Sequence, residues 1–420
     1  GVRPEIEVPA FSEFASRVDG PVFSGSLFPF LFVTIACGAL SGFHALISSG
    51  TTPKLVEKER QTRFIGYGGM IMESFVAIMA LVAAISIDQG IYYAMNASAA
   101  ATQGTVEGAV AFVNSLGIAG VNLTPEMLTS TAAAVGEESV VSRTGGAPTL
   151  ALGLAHIMQQ ALGGPAMMAF WYHFAIMFEA LFILTAVDAG TRVARFMLQD
   201  SIGAWVPKFR DVSWRPGVWI TTAVMVAGWG AILILGVTDP LGGINTFFPL
   251  FGIANQLLAA IALAVVMAIV AKRGPSFVKW LWIIAAPLAF AAVVTITASA
   301  YKIFSPNPAI GYWANHFRYR DALAANDTSL GTPEVMGAVI RNTFVQGTLS
   351  IVFVVLAIIV IAASIAVTIA AIRRGGDTHE DEPTPSRRFA PAGFIATPSE
   401  RALEKEWEPI LANERAANRH

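Results

Sequence analysis

The side chains best suited to chemistry lie in an apolar stretch near the start of the chain, LFPFLFVTIACGALSGFHALISSG. Small, hydroxylic and ionisable residues recur along it at helical spacing: Thr34, Gly38, Ser41, His44 and Ser48. Such spacing places them on one face of a helix. Glycines in its middle weaken the helix, and backbone groups freed inside a bilayer need partners from protein, water or ligand. The pattern predicts a broken helix beside a substrate cavity, and its candidate binding residues are Gly38, Ser41, Gly42 and His44.

Two alternative interpretations of this face stay open at this point. Small residues at this spacing also allow helices to pack closely within a membrane. His44 could equally be a core histidine whose hydrogen bonds are satisfied by the protein.

Two glutamates inside predicted spans are candidates for ion or proton coupling, because charged groups are costly in a bilayer and mark transport pathways. Glu73 lies on a stripe of small residues that includes Gly66, Gly69 and Ala77, and this stripe is expected to face other helices. Glu179 lies near the centre of a later apolar segment. We predict that both carboxylates belong to a coupling pathway.

A third carboxylate, Asp188, is flanked by Thr185 and Thr191 at three-residue spacing. One helical face would then present two hydroxyls and a carboxylate, a set that suits an alkali cation or a proton. The alternative is a surface ion pair between Asp188 and Arg192, four residues later on the same helix.

Two amides, Asn255 and Gln256, interrupt the apolar run FPLFGIANQLL. They could line the substrate cavity or form hydrogen bonds between helices, and the sequence favours neither. The chain has no H-E-x-x-H zinc motif, no P-loop and no basic stretch with interleaved aromatic residues. We therefore expect neither an enzyme, nor a resident metal or cofactor, nor a nucleic-acid partner.

Composition indicates that the elements carrying these residues lie in a lipid bilayer. The 420 residues are 55% hydrophobic and only 13% charged, whereas soluble domains have roughly 25% charged residues. A spanning helix needs about 20 mostly apolar residues. The segments that meet this requirement are Leu27–Ser48, Gly66–Ile87, Met167–Asp188, Val218–Val237, Phe247–Ala271, Trp280–Tyr301 and Val345–Ile372.

Basic residues alternate between successive connections, which predicts the orientation of the spans. The first segment should enter from the outside, residues 1–26 should be an extracytoplasmic lead-in, and the tail 373–420 should be cytoplasmic. The connection 94–165 should be an outer loop with two short helices, near Val106–Leu116 and Leu150–Leu162. We therefore expect an all-α, multi-pass protein of the plasma membrane, the inner membrane of a bacterium.

The order of these elements is typical of a leucine-transporter-type fold, in which five helices are repeated with inverted topology and each repeat begins with a broken helix. Residues 27–272 would form the second repeat, and residues 273–372 would add two further spans. This assignment is an analogy of fold.

Several long blocks also resemble the carbon starvation protein A (CstA) family, among them LFPFLFVTIACGALSGFHALISSGTTPKL, IGYGGMIMESFVAIMALVAA and FEALFILTAVDAGTRVARFMLQD. The resemblance is strong from Leu27 to Ala271. It implies uptake of peptides or pyruvate during carbon limitation, driven by an ion or proton gradient. Family members carry further spans upstream, and this chain starts without Met or a signal peptide, so we expect that an N-terminal half of the same protein is missing.

The functional hypothesis is a proton- or cation-coupled importer of a small anionic nutrient, either pyruvate or short peptides. The substrate carboxylate would lie at Gly38–Gly42, where half-helix ends present N–H groups and a favourable dipole. A membrane sensor or assembly subunit that retains a transporter scaffold is the alternative. The sequence leaves open pyruvate or peptide as substrate and proton or sodium as coupling ion.

Overall fold

The computed structural model describes residues 4–376 except 16, 18, 36, 37, 39, 53–55, 57–60, 212, 213 and 240–242, and it also describes residues 405 and 409. Helices and connecting turns account for this part of the chain, which contains no β-strand. The all-α prediction is therefore confirmed for the described residues. The predicted tail covers residues 373–420. Beyond 376 it lies outside the described residues, except at 405 and 409.

Six helices are long and apolar enough to cross a membrane, and they make this a multi-pass membrane protein. Their bounds in the structure are α3 Gln61–Ile85, α9 Met168–Gly203, α10 Arg215–Val237, α11 Gly243–Lys272, α13 Trp282–Phe304 and α15 Pro333–Arg374. They correspond to six of the seven predicted segments.

The remaining predicted segment, Leu27–Ser48, is the first along the chain, and in the structure it forms two short helices. Helix α1 covers Leu27–Ile35 and helix α2 covers Gly42–Gly50, with nine residues each. Neither is long enough to cross a bilayer alone. The predicted break near Gly38–Gly42 is therefore confirmed, and the crossing of the membrane by the two halves together stays a prediction.

Two long helices extend well beyond the predicted apolar segments. Helix α9 has 36 residues and continues to Gly203, and helix α15 has 42 residues and begins at Pro333. The side chain of Thr332 accepts a hydrogen bond from the Val335 N–H and caps the start of α15. Apolar composition indicates where a helix crosses the bilayer, whereas capping and main-chain bonding decide where the helix ends.

The connection between α3 and α9 holds five short helices instead of the two predicted. They are α4 Gln89–Asn96, α5 Ala99–Thr102, α6 Val106–Ser115, α7 Pro125–Val135 and α8 Ala147–Ala161. Sequence analysis missed α4 and α5, which are too short for a clear hydrophobic period, and α7, whose 11 residues are mostly Ala, Ser and Thr. Their start signals are side-chain caps at Asp88, Ser98 and Thr124.

These short helices form a core of their own that rests on α9. Met95, Leu128 and Leu152 are buried together with Tyr172 and Ala175 of α9. Helix α8 also packs against α3, where Gly153 lies so close to the Ala83 carbonyl oxygen that an added Cβ would be 2.1 Å from it. The predicted loop is thus a packed helical layer.

After α13 the chain continues through α14 Tyr312–Ala324, which packs against α15. A four-residue helix, α12 Pro275–Val278, precedes α13.

Helix α11 is the central element of the bundle. It contacts α1, α2, α13 and α15. In its most apolar stretch of 18 residues, 50% of the residues are buried, compared with 6% in the corresponding stretches of α3 and α10. The apolar side chains of α3 and α10 are correspondingly exposed, as expected for surfaces in contact with lipid. The predicted division into residues 27–272, 273–372 and 373–420 stays a prediction.

Candidate functional site

The candidate site is the interruption between α1 and α2. A helix end leaves carbonyl groups without partners, and a helix start leaves N–H groups without partners. At the start of α2, the Ser41 hydroxyl accepts a hydrogen bond from the His44 N–H at 3.1 Å. The remaining freed groups need partners from another element.

Two buried amides of α11 supply these partners. Gln256 Nε2 donates a hydrogen bond to the Phe32 carbonyl oxygen near the end of α1. Asn255 Oδ1 accepts a hydrogen bond from the Phe43 N–H at 2.8 Å, and its Nδ2 lies 3.5 Å from the Leu40 carbonyl oxygen. Asn255 is 3% exposed and Gln256 is 2% exposed. The side chains of one helix therefore replace the missing main-chain bonds of another.

A second contact fixes the orientation of the Gln256 amide. Thr295 Oγ1 on α13 donates to Gln256 Oε1 at 3.2 Å, and Thr295 is fully buried. Because its oxygen is engaged by Thr295, the Gln256 amide presents its NH₂ group to α1.

Two glycines bring the broken helix and α11 together. A Cβ on Gly42 would lie 2.1 Å from the Asn255 carbonyl oxygen, and a Cβ on Gly252 would lie 2.1 Å from the Val33 carbonyl oxygen. Side chains cannot occupy either position without displacing backbone. Gly42 therefore has the close-packing role that sequence analysis had kept as its alternative.

For Asn255 and Gln256 the structure shows hydrogen bonding between helices. Direct contact of these amides with a substrate stays a prediction. Gly38 is exposed, and a Cβ added to it would lie 3.2 Å from Ile35 Cγ2. Its role in substrate binding also stays a prediction.

The structure brings together two residues that sequence analysis had placed in different sets, His44 of α2 and Glu73 of α3. His44 Nε2 lies 3.4 Å from Glu73 Oε2, and His44 Nδ1 lies 2.5 Å from Ser41 Oγ. With Nδ1 accepting from the Ser41 hydroxyl, Nε2 can carry the proton of the ring, and a second proton would make the contact with Glu73 an ion pair. Ser41, His44 and Glu73 thus form a cluster that can hold a proton.

The other predicted coupling residues are not gathered into one site. One carboxylate oxygen of Glu179 is buried without a hydrogen-bond partner among the described residues. Asp188 Oδ2 lies 2.8 Å from Arg192 Nη2, so the alternative of a surface ion pair is the observed arrangement. Thr185 Oγ1 donates to the Phe182 carbonyl at 2.7 Å. A coupling role for Glu179, Thr185, Asp188 and Thr191 stays a prediction.

Sequence analysis missed Gly252 and Thr295, which complete the contact with the break. The signal for Gly252 was its position four residues before Gln256 on one helical face. Thr295 carried no local signal, because its role depends on how α13 packs against α11.

One family model and several known proteins match this chain in sequence. Residues 1–298 match the model of a family described as "Carbon starvation protein CstA". The chain is 56% identical to the peptide transporter CstA of Mycobacterium tuberculosis (strain H37Rv) over 410 residues, which are 96% of this chain and 54% of that protein. No solved structure matches it.

Two proteins of Escherichia coli (strain K12) are also similar. The peptide transporter CstA is 47% identical over 91% of this chain and 54% of its own length. The pyruvate/proton symporter BtsT is 42% identical over 91% of this chain and 56% of its own length. The chain spans about half the length of these relatives, and the expectation of a missing upstream half stays a prediction. The family match and the level of identity show that this chain belongs to the carbon starvation protein CstA family.

Proposed function

We propose that this chain is part of a secondary active transporter of the plasma membrane that imports pyruvate or short peptides during carbon starvation. In this proposal residues 27–272 form the second inverted five-helix repeat, and a proton or cation gradient drives uptake. The C-terminus lies in the cytoplasm. Relatives named as a peptide transporter and as a pyruvate/proton symporter support this class of function.

The observation that carries the proposal is the break between α1 and α2, which two buried amides of α11 stabilise. Non-helical backbone at membrane depth is tolerated where protein buries it or where it lines a cavity. Broken helices of this kind form the substrate sites of transporters built on inverted repeats. A substrate carboxylate can accept hydrogen bonds from N–H groups at such helix ends.

Proton coupling is supported by the cluster of Ser41, His44 and Glu73. His44 Nε2 lies 3.4 Å from Glu73 Oε2, so a proton taken up by His44 would turn this contact into an ion pair. Movement of α2 relative to α3 would then depend on the proton that this pair holds.

The test is uptake of labelled pyruvate and of a labelled dipeptide by cells that make the whole protein to which this chain belongs. Accumulation of either substrate, abolished by a protonophore or a sodium ionophore, would support the proposal and identify the coupling ion. A correctly inserted protein that accumulates neither substrate would contradict it and would favour the sensor or assembly role. Accumulation insensitive to both ionophores would contradict secondary active transport.

A further inference from the structure

A cavity of about 200 Å³ lies beside the first half of the broken helix. Its walls come from α1, α11, α13, the start of α14 and α15, closed by the loops at 21–24 and 308–311. Val33 and Thr34 of α1 are part of the wall. The cavity is therefore next to the candidate site, and apart from Thr34 its polar lining contains none of the candidate residues named from the sequence.

One wall of the cavity carries a buried ammonium group. Lys302, in the last turn of α13, is 7% exposed. Its Nζ lies 5.4 Å from the centre of the Phe30 ring and 5.6 Å from the centre of the Tyr312 ring. Within the described part of the chain, Lys302 forms no ion pair. A buried charge without an ion-pair partner is costly. The two aromatic rings attract the ammonium group but do not accept ordinary hydrogen bonds from its N–H groups.

Three further polar side chains in the same wall have hydrogen-bonding capacity that the described residues leave unused. The Tyr312 hydroxyl, both polar atoms of the Asn342 amide and the Gln346 NH₂ group are buried without partners. Asn342 is 1% exposed and Gln346 is 2% exposed, and their four-residue spacing places both on one face of α15. Buried polar groups without partners are rare in native proteins. We call Lys302, Tyr312, Asn342 and Gln346 the Lys302 cluster.

The unused capacity of the Lys302 cluster consists mostly of donors, which favours an anion as the missing partner. The unused donors are one ammonium, two amide NH₂ groups and one hydroxyl. The unused acceptors are Asn342 Oδ1 and the same hydroxyl. Two other hydroxyls at the wall are engaged, because Thr34 donates to the Phe30 carbonyl and Thr343 to the Val339 carbonyl. A carboxylate, Asp239, also lines the cavity and has contacts of its own.

We propose that the Lys302 cluster binds the carboxylate of a small organic acid. The cavity volume is below the roughly 300–1,000 Å³ of pockets for drug-sized ligands. A small acid such as pyruvate or acetate therefore fits the cavity better than a long peptide does. The choice of a carboxylate over an inorganic anion rests on the proposed function. Because α1 forms part of the wall, the acid held here lies beside the broken helix.

The test measures binding of pyruvate and acetate to the purified full-length protein by isothermal titration calorimetry. Lys302→Met removes the charge and keeps the length of the side chain, and we expect it to weaken binding of both acids about tenfold or more. Lys302→Arg should bind within a few-fold of the wild type. Gln346→Leu should weaken binding by a smaller factor, about three- to tenfold.

The matched control is Lys279→Met, because Lys279 lies over the Trp280 ring and outside the cavity. It should bind both acids as the wild type does. Thermal unfolding of each variant checks folding, and Lys302→Met should be folded because loss of an unpaired buried charge is neutral or stabilising.

Wild-type affinity in Lys302→Met, or equal weakening in Lys279→Met, would overturn the proposal. Binding of chloride or phosphate without binding of either acid would also overturn it. The same measurements distinguish this proposal from the transport proposal. Carboxylate binding that depends on Lys302, in a protein that accumulates no substrate, would support the Lys302 cluster and contradict transport. Substrate accumulation without Lys302-dependent binding would support transport and contradict the Lys302 cluster.

Discussion

At the scale of single residues, Asn255 and Gln256 act as replacement backbone for the broken helix. Each is almost completely buried and bonded to main-chain groups that a continuous helix would have satisfied itself. Leaving such a group unpaired in the interior costs about 1–3 kcal/mol. The amides are therefore part of what keeps α1 and α2 apart in a defined geometry.

Gln256→Leu should lower the free energy of unfolding by about 1–3 kcal/mol, because the Phe32 carbonyl loses its donor. Thermal unfolding of the purified protein measures the change. The control is Gln160→Leu, since Gln160 is exposed and contacts only His156 on its own helix. Equal stability of the two variants would contradict the role of Gln256 at the break.

Glu73→Gln should abolish accumulation driven by the proton gradient while counterflow exchange of substrate continues, because the amide cannot form an ion pair with protonated His44. We expect accumulation to fall about tenfold or more. The exposed Glu107 of α6 offers the control Glu107→Gln. Wild-type accumulation in Glu73→Gln would exclude this carboxylate from coupling.

At the scale of secondary-structure elements, the feature that matters is the contact between α11 and both halves of the broken helix. Gly252 lies under α1, and Gly42 lies against α11 in the first turn of α2. The four residues after Gly252 include both amides, so one turn of α11 contacts the described residues on both sides of the interruption. Close approach through glycine brings the amide side chains within reach of the freed backbone groups.

Gly42→Ala and Gly252→Ala should each destabilise the protein by about 1–3 kcal/mol, because the added Cβ overlaps a carbonyl oxygen of the opposite helix. Gly228→Ala in α10 is the control, since an added Cβ there meets nothing within 4 Å. The fraction of monodisperse protein after heating in detergent gives the ranking. Tolerance of alanine at both positions would mean that the two helices are farther apart than the structure shows.

At the scale of the whole molecule, the helices divide into a central group and a lipid-facing group. Helices α1, α2, α13 and α15 contact α11, whereas α3 and α10 present most of their apolar surface outward. The short helices α4 to α8 form a separate packed layer against α9 and α3. In the predicted orientation this layer lies outside the membrane, on the side opposite the C-terminus.

That orientation predicts opposite labelling of two exposed sites. In a Cys37→Ser background, Ser115→Cys at the end of α6 should react with a membrane-impermeant maleimide in intact cells. Arg273→Cys after α11 should react only once the membrane is permeabilised. The inverse pattern would reverse the topology and with it the direction assigned to α1.

Much of the membrane architecture follows from local sequence. Six spans and the break in the first segment were predictable, because apolar length and helix-weakening glycines act within one stretch of chain. Helices α4 and α5 were missed because so few residues carry little periodicity, and α7 was missed because a run of mostly Ala, Ser and Thr has little hydrophobic contrast. The family, too, is recognisable from contiguous blocks of residues.

The sequence by itself thus determined the class of protein, the long helices and the place of the interruption. Only the tertiary structure decided that Asn255 and Gln256 bond to the broken helix, that Asp188 pairs with Arg192, and that His44 meets Glu73. It also placed Lys302, which sequence analysis had not singled out, in a buried wall with Asn342 and Gln346. The physical reason is that hydropathy and helix propensity act locally along the chain, whereas the partner of a buried polar group depends on which helices pack together.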